Sequence, residues 1–290
     1  MFKQLLWPGL LTSALALTAV GFATGHTVVT FNLVYFALLG SLLVLERTLP
    51  FERSWLQADG QTLANILHTL SSKATVQMLV VVSGTLGVAA WVMPLAGAGG
   101  AGVWPHAWPM WLQAALGLLA AEFMLYWSHR LAHEIGWLWR FHAIHHSVTR
   151  LWVINTGRFH FLDSVFKVSM AAGLLMALGA PRQVLEWVAV TTAYIGLLTH
   201  CNVDMHCGVL SKIFSTPNAH RWHHSRVPAE GNRNYGENLL VWDLVFGSWF
   251  LPQGRRPPAD IGIAEPMPAD FLGQLAFPFR TLPPKADEPR

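Results

Sequence analysis

Residues 110–134 read MWLQAALGLLAAEFMLYWSHRLAHE. Residues 110–127 are almost wholly apolar and long enough to enter a bilayer, since a spanning helix needs about 17–25 such residues. The last nine, YWSHRLAHE, then set His129 and His133 four apart, on one face of the same helix. Two imidazoles at that spacing can grip one metal ion. A membrane helix that emerges carrying paired ligands predicts a helical membrane protein with a metal centre at one surface.

Composition agrees. Of 290 residues, 53% are hydrophobic and only 12% charged, where a soluble domain carries about 25% charged residues. Mean hydropathy is +0.38. Further apolar runs cover 8–25, 27–45 and 74–95, and with 110–127 they make four long spanning helices. Two shorter runs, 165–180 and 184–199, are joined by GAPRQ and read as a tight hairpin. The first run has one Lys before it, as a signal peptide would, but a second long run follows almost at once, so a retained helix is expected. With the N-terminus cytoplasmic, the outer turns are 26, 96–109 and 179–183, and of 19 Lys and Arg only Arg182 falls in one. That is the positive-inside pattern. Cys201 and Cys207 then lie on the inner side, where a disulfide is not expected. The net charge of +3 fits contact with anionic headgroups and not nucleic-acid binding. The fold class predicted is an all-α integral membrane bundle of four long helices plus a short hairpin, with a cytosolic helical cap.

The chemistry lies in the histidines. Eleven of 14 fall between 129 and 224. His26, His68 and His106 carry no pattern and read as interfacial or loop residues. The segment FHAIHHSVTR holds His142, His145 and His146, spaced i, i+3, i+4. TPNAHRWHHS repeats that spacing with His220, His223 and His224, and Thr216-Pro217 marks a helix start. Three neighbouring imidazolium ions would repel, whereas neutral rings around a metal would not. His200 ends the hairpin on the same inner side and is a ninth candidate. His160, Asp204 and His206 are polar neighbours at the membrane boundary. Glu122 and Tyr126 share a helix face with His129. An acid within a spanning helix marks a functional site by default, although Glu122 could equally pair with a histidine or arginine for packing.

Eight or nine imidazoles exceed what one ion can use. Structural zinc sites stop at four ligands and usually employ cysteine. Imidazole suits iron, copper, zinc and nickel. A pair of irons at a membrane surface can use O2 to attack an unactivated C–H bond of a lipid.

The order H-x-x-x-H, H-x-x-H-H, a return helix and H-x-x-H-H resembles the fatty acid hydroxylase/sterol desaturase superfamily of membrane di-iron oxygenases, and within it the uncharacterised bacterial members. The resemblance covers roughly 110–250, through YWSHRLAH, FHAIHHS, RFHFLD, HCN, TPNAHRWHHS and NYGENLLVWDLVFGSW. It implies His129, His133, His142, His145, His146, His220, His223 and His224 as iron ligands, with His200 a ninth. It implies a supporting shell of Asn202, Asn234, Tyr235 and Gly236. Phe161 and Asp163 stand where the family often has Pro and Glu, and Asp163 keeps the charge; His206 stands where a proline often follows. It implies an O2-dependent hydroxylase or desaturase of lipids, at the bacterial inner membrane, with its histidines on the cytoplasmic side. The chain divides into membrane helices (1–109), catalytic region (110–250) and a tail (251–290) that holds nine of the 17 prolines and wraps as irregular chain, FLGQLAFPF lying at the membrane surface. The sequence shows no dinucleotide fingerprint or Fe–S cysteine cluster. Electrons must then come from a ferredoxin, a cytochrome b5-like carrier or a reductase, docking near Arg140, Arg150, Arg221 and Arg226. The rival is a metal-binding or metal-transport membrane protein, which would place ligands within several spanning helices instead of at their ends.

Overall fold

Buried positions on the first two helices follow a regular seam. In α1 (Phe2–Thr24) these are Trp7, Leu11, Ala14, Thr18 and Gly21. In α2 (Thr27–Thr48) they are Val34, Leu38, Leu42 and Glu46. Such spacing at three and four residues keeps one stripe of each helix against its neighbours. The opposite faces are also apolar: Leu17, Val20, Val28, Leu33, Phe36 and Val44 are all exposed. A helix that is hydrophobic all round belongs in a lipid environment.

The computed structural model describes residues 2–85 and 103–280. Among these residues every regular element is helical, and the only β contacts are isolated bridges such as Phe214 with Leu239. Three helices are long and apolar enough to cross a membrane: α1, α2 and α4 (Met110–Glu134). The start of the run expected over 74–95 falls in α3, which begins earlier and is described over Thr62–Thr85. The rest of that run, and the expected outer turn as far as residue 102, lie outside the described residues.

In α4, Gln113, Gly117, Ala121, Leu125, Ser128, His129 and Ala132 form one buried stripe, so the packing seam itself carries His129 inward. A Cβ on Gly117 would sit 2.5 Å from Val184 Cγ1, so only glycine allows this approach. The expected hairpin is α6 (Phe161–Ala177) and α7 (Arg182–His200). Its turn closes by backbone bonds from Gly179 N to Met176 O and Ala180 N to Leu175 O, both 3.0 Å, with Gly179 at φ 81°. This glycine-terminated helix end turns the chain back so that His200 reaches the same side as His129.

Around these helices lie α5 (Gly136–His146), α8 (Pro217–His223), α9 (Pro228–Gly231), α10 (Val241–Val245) and α11 (Phe271–Ala276). α8 starts at Pro217, as its sequence predicts. The tail is not wholly irregular. α11 docks on α3 through Gln274, whose Oε1 is 2.9 Å from His68 Nε2, while Leu272 and Phe279 face outward. His68 is therefore no interfacial residue. It is fully buried and joins α3 to the tail and to the Phe159 carbonyl.

Gly117→Leu drives a side chain into Val184. Overpacking of this kind costs about 1–3 kcal/mol. A lower thermal midpoint in detergent, together with weaker metal retention, is expected; an unchanged midpoint would contradict the close α4–α7 approach.

Candidate metal centre

Nine histidines converge from four helices. His129 and His133 come from the last two turns of α4, and His142, His145 and His146 from α5. His200 is the last residue of α7; His220 and His223 come from α8, and His224 caps it. They sort into two groups able to hold an ion: His129, His133, His142, His146 and His223, and His145, His200, His220 and His224. All but His133 are buried. The groups adjoin, with the His146 and His224 rings stacked at 4.5 Å.

Within each group the Nε2 atoms face one another. In the first, His133–His146 and His142–His146 are 3.1 Å apart and His129–His223 3.0 Å. In the second, His200–His220 and His220–His224 are 3.0 Å apart and His145–His200 3.4 Å.

The outer nitrogens decide what these contacts are. His129 Nδ1 lies 2.6 Å from the Tyr235 carbonyl, His223 Nδ1 2.7 Å from that of Arg233, and His200 Nδ1 3.2 Å from that of Gly196. His142 Nδ1 is 3.0 Å from the Asp163 carboxylate and His133 Nδ1 3.0 Å from Asn232 Oδ1. Carbonyls and carboxylates only accept, so Nδ1 carries the proton in these rings. Where two such rings meet, as His129 and His223 do at 3.0 Å, both Nε2 atoms hold bare lone pairs that repel unless a cation sits between them. An ion about 2.1 Å from each nitrogen spaces neighbouring ligands about 3.0 Å apart in an octahedron and about 3.4 Å in a tetrahedron. The observed spacings match. In the second group Nδ1 of His145, His220 and His224 find no partner among the described residues. No outer acceptor fixes the tautomer of these three rings, so each can turn a bare Nε2 lone pair toward a cation. The residues therefore fit metal ions of the kind imidazole prefers, iron among them.

Burial, and then repulsion from neighbouring rings, push His145, His146, His220 and His224 well below the ordinary histidine value of 6.5; burial does the same for His142 and His223. The rings stay neutral, the form that binds metal.

The loop after α9 supplies two of these carbonyls, those of Arg233 and Tyr235. Asn234 adopts φ 54°, and its amide donates to Ala219 O and Phe250 O at 3.0 and 2.7 Å. Asp243 accepts from Tyr235 N and Gly236 N, both at 2.8 Å. Glu122 accepts from Glu237 N at 2.6 Å, and from Asn238 N and Nδ2 at 3.0 and 2.8 Å. Glu122 thus pairs with neither histidine nor arginine. It clamps the loop that orients His129 and His223. Tyr126 does similar work through Ser248 at 2.9 Å.

Other candidates sit elsewhere. Asn202 ties α7 to the loop after α2, accepting from Glu52 N at 2.9 Å. Asp204 pairs with Lys3 at 2.5 Å, and His206 is largely exposed; both lie outside the two groups. His160 caps α6, its Nδ1 accepting from Leu162 N at 3.1 Å. Sequence reasoning missed Asn232, Arg233 and Asp243 as supports. Asp243 had a signal, an acid in an otherwise apolar VWDLVF. Two of the four arginines expected near a docking electron donor are buried. Arg221 is buried and donates to Cys201 O and Val203 O at 2.9 and 2.8 Å. Arg150 is buried and bonded to Asp59 at 3.0 Å. Both thiols are buried and unpaired.

Residues 114–248 match the fatty acid hydroxylase family. The chain is 49% identical over 278 residues to the ornithine lipid hydroxylase OlsE of Rhizobium tropici, a match covering 96% of this chain and 84% of that protein. It is 31% identical over 153 residues to the alkylglycerol monooxygenase of Xenopus tropicalis, spanning 33% of its length. It is 27% identical over 160 residues to a putative Delta(7)-sterol-C5(6)-desaturase 2 of Arabidopsis thaliana, half of each chain being covered. No solved structure matches. The chain belongs to the fatty acid hydroxylase family and is an enzyme of its oxidoreductase class.

Two outcomes follow from the geometry. Asp163→Asn weakens the acceptor that orients His142, and loss of such a partner costs about 10–100-fold in metal affinity; competition with a chelator reads it, and unchanged retention would contradict the role. In metal-free protein His142, His146 and His220 stay neutral when folded but titrate near 6.5 once unfolded. The unfolded state therefore binds more protons as pH falls below that value, and stability falls with it. The thermal midpoint in detergent should drop between about pH 7 and pH 5; a flat profile would contradict neutral burial.

Proposed function

We propose that the chain is an O2-dependent di-iron membrane enzyme that hydroxylates a lipid, with an amino-acid lipid of the ornithine type as its substrate. The observation that carries the reading is the division of nine converging histidines into two adjoining groups. His129, His133, His142, His146 and His223 would hold one iron, and His145, His200, His220 and His224 the other. With both bound, the irons supply the O2 activation and attack on an unactivated C–H bond that acid–base groups alone could not achieve.

The chain does the rest. Its Nδ1–H bonds hold the rings in one orientation. A cavity of about 170 Å3 opens on His145, His200 and His220, walled by Phe159, Ala193 and Gly196 among others. Its mostly apolar wall accepts a lipid segment and keeps water away from the reacting carbon. Phe159 lies flat on His145 at 4.3 Å and 8°, bracing that ring. The ornithine assignment is supported by similarity along nearly the whole chain, and hydroxylation is favoured over desaturation because that relative is named a hydroxylase.

In this reading α1, α2 and α4 cross the bacterial inner membrane, and the fourth crossing expected over 74–95 extends beyond the described residues. The α6–α7 hairpin inserts from the cytoplasmic side, and α5, α8 and the surrounding loops form a cytosolic cap. Residues 1–109 anchor, 110–250 catalyse and 251–290 form a tail that braces α3. A ferredoxin, cytochrome b5-like carrier or reductase delivers electrons at the cytoplasmic face, where Arg226 remains exposed.

Purified protein should hold about two irons per chain. With an electron donor, air and ornithine lipid it should form a product heavier by one oxygen. His145→Ala and His223→Ala should each lose metal and turnover. Full activity in either variant, or a product lighter by two hydrogens, would overturn the reading.

A further inference from the structure

Lys73 is an exposed cation on a face of α3 that also carries the exposed Gln77. Leu63, Ile66 and Leu70 precede it on that face at three- and four-residue spacing, exposed at 42–67%. Helix geometry puts Lys73 about 15 Å along α3 from Leu63. An ammonium at the inner end of the apolar run over 74–95 can meet the anionic groups of lipids.

The surroundings say what it does. Lys73 Nζ donates to Tyr35 OH on α2 at 2.9 Å and lies 4.2 Å from the centre of that ring. Among the described residues no carboxylate pairs with it, so two of its three N–H bonds remain for a ligand. Elsewhere α2 packs on α1 and α7 and α3 on α6, and both touch the turn at Val153–Asn155. The Lys73–Tyr35 contact adds a direct link between α2 and α3. Both residues line the cavity that ends on His145, His200 and His220. The carboxylate on that cavity's wall, Glu237, already has its own cation, Lys167, at 2.7 Å. Lys73 is thus the cavity's one cation with no carboxylate partner among the described residues, and it stands beside exposed apolar surface. That is where the anionic group of a lipid would stop while the segment to be oxidised passes inward.

We propose that Lys73, oriented by Tyr35, anchors the oxyanion of the lipid substrate, a carboxylate or a phosphate ester, at the mouth of this cavity and so sets which lipids the enzyme accepts. Tyr35 is a positioning residue: its hydroxyl and ring hold the ammonium at the opening. The inference rests on the lipid-hydroxylase reading for its substrate, but binding tests it without turnover.

The experiment measures binding of three probes to iron-loaded protein in detergent micelles: ornithine lipid, phosphatidylglycerol and an uncharged alkylglycerol. Wild type is compared with Lys73→Met, Lys73→Arg and Tyr35→Phe. Loss of one charge-assisted hydrogen bond to a ligand weakens binding about tenfold or more. Lys73→Met is expected to lose that factor for ornithine lipid, with alkylglycerol binding and iron content unchanged. Lys73→Arg should restore most of it, and Tyr35→Phe should fall between. The same loss for phosphatidylglycerol would assign the site to oxyanions generally; a loss confined to ornithine lipid would assign it to carboxylates. Equal losses for all three probes, no loss for either anionic one, or no binding of an anionic probe to wild type would overturn the proposal. Wild-type binding with a Lys73-dependent loss but no oxygenated product would overturn the hydroxylase reading and leave the anchor standing.

Discussion

Everything in this structure answers to one constraint: the Nε2 atoms of neutral imidazoles are held facing one another about 3 Å apart. No hydrogen bond can satisfy the His129–His223 contact, because both protons are committed outward to Tyr235 and Arg233. The array is tenable around cations and costly without them. Each surrounding feature keeps the rings from turning away. The stripe through Gly117 and Leu125 delivers His129, the Gly179 turn returns His200, and Asp243 with Glu122 fixes the loop whose carbonyls receive the protons.

The two groups are unequally supported. In the first, four of five rings have an outer acceptor, one of them a carboxylate. In the second only His200 has one, and three rings have orphaned Nδ1 atoms. Yet the cavity of about 170 Å3 opens chiefly on the second group, through His145, His200 and His220, with His129 from the first. In the proposed reading, the more firmly oriented ligands would retain metal while the less constrained set beside the cavity would admit substrate.

Much of this was legible in the chain. Paired H-x-x-H-H segments after H-x-x-x-H announced a metal centre because helical spacing turns i, i+3 and i+4 to one side. The hairpin was legible from two apolar runs around Gly179 and Pro181. Less visible were the roles of single polar residues. Glu122 read as a partner for a histidine, since its own helix face points that way; it binds backbone N–H groups more than a hundred residues later. Arg150 and Arg221 read as surface charge, yet both are buried against carbonyls and, for Arg150, Asp59. His68 carried no pattern because its partners, Phe159 and Gln274, are distant in sequence.

The sequence by itself determined the helical membrane class, the family and the set of nine histidines, because these depend on local composition and on periodicity along one helix. Only the tertiary structure decided how the nine divide into five and four, which outer acceptor fixes each ring, and that Lys73 stands with Tyr35 at the mouth of the cavity. Those depend on which side chains of different helices face each other across a few ångströms, and that is set by how the helices pack, by close approaches such as Gly117 on Val184 and by buried bonds between distant segments.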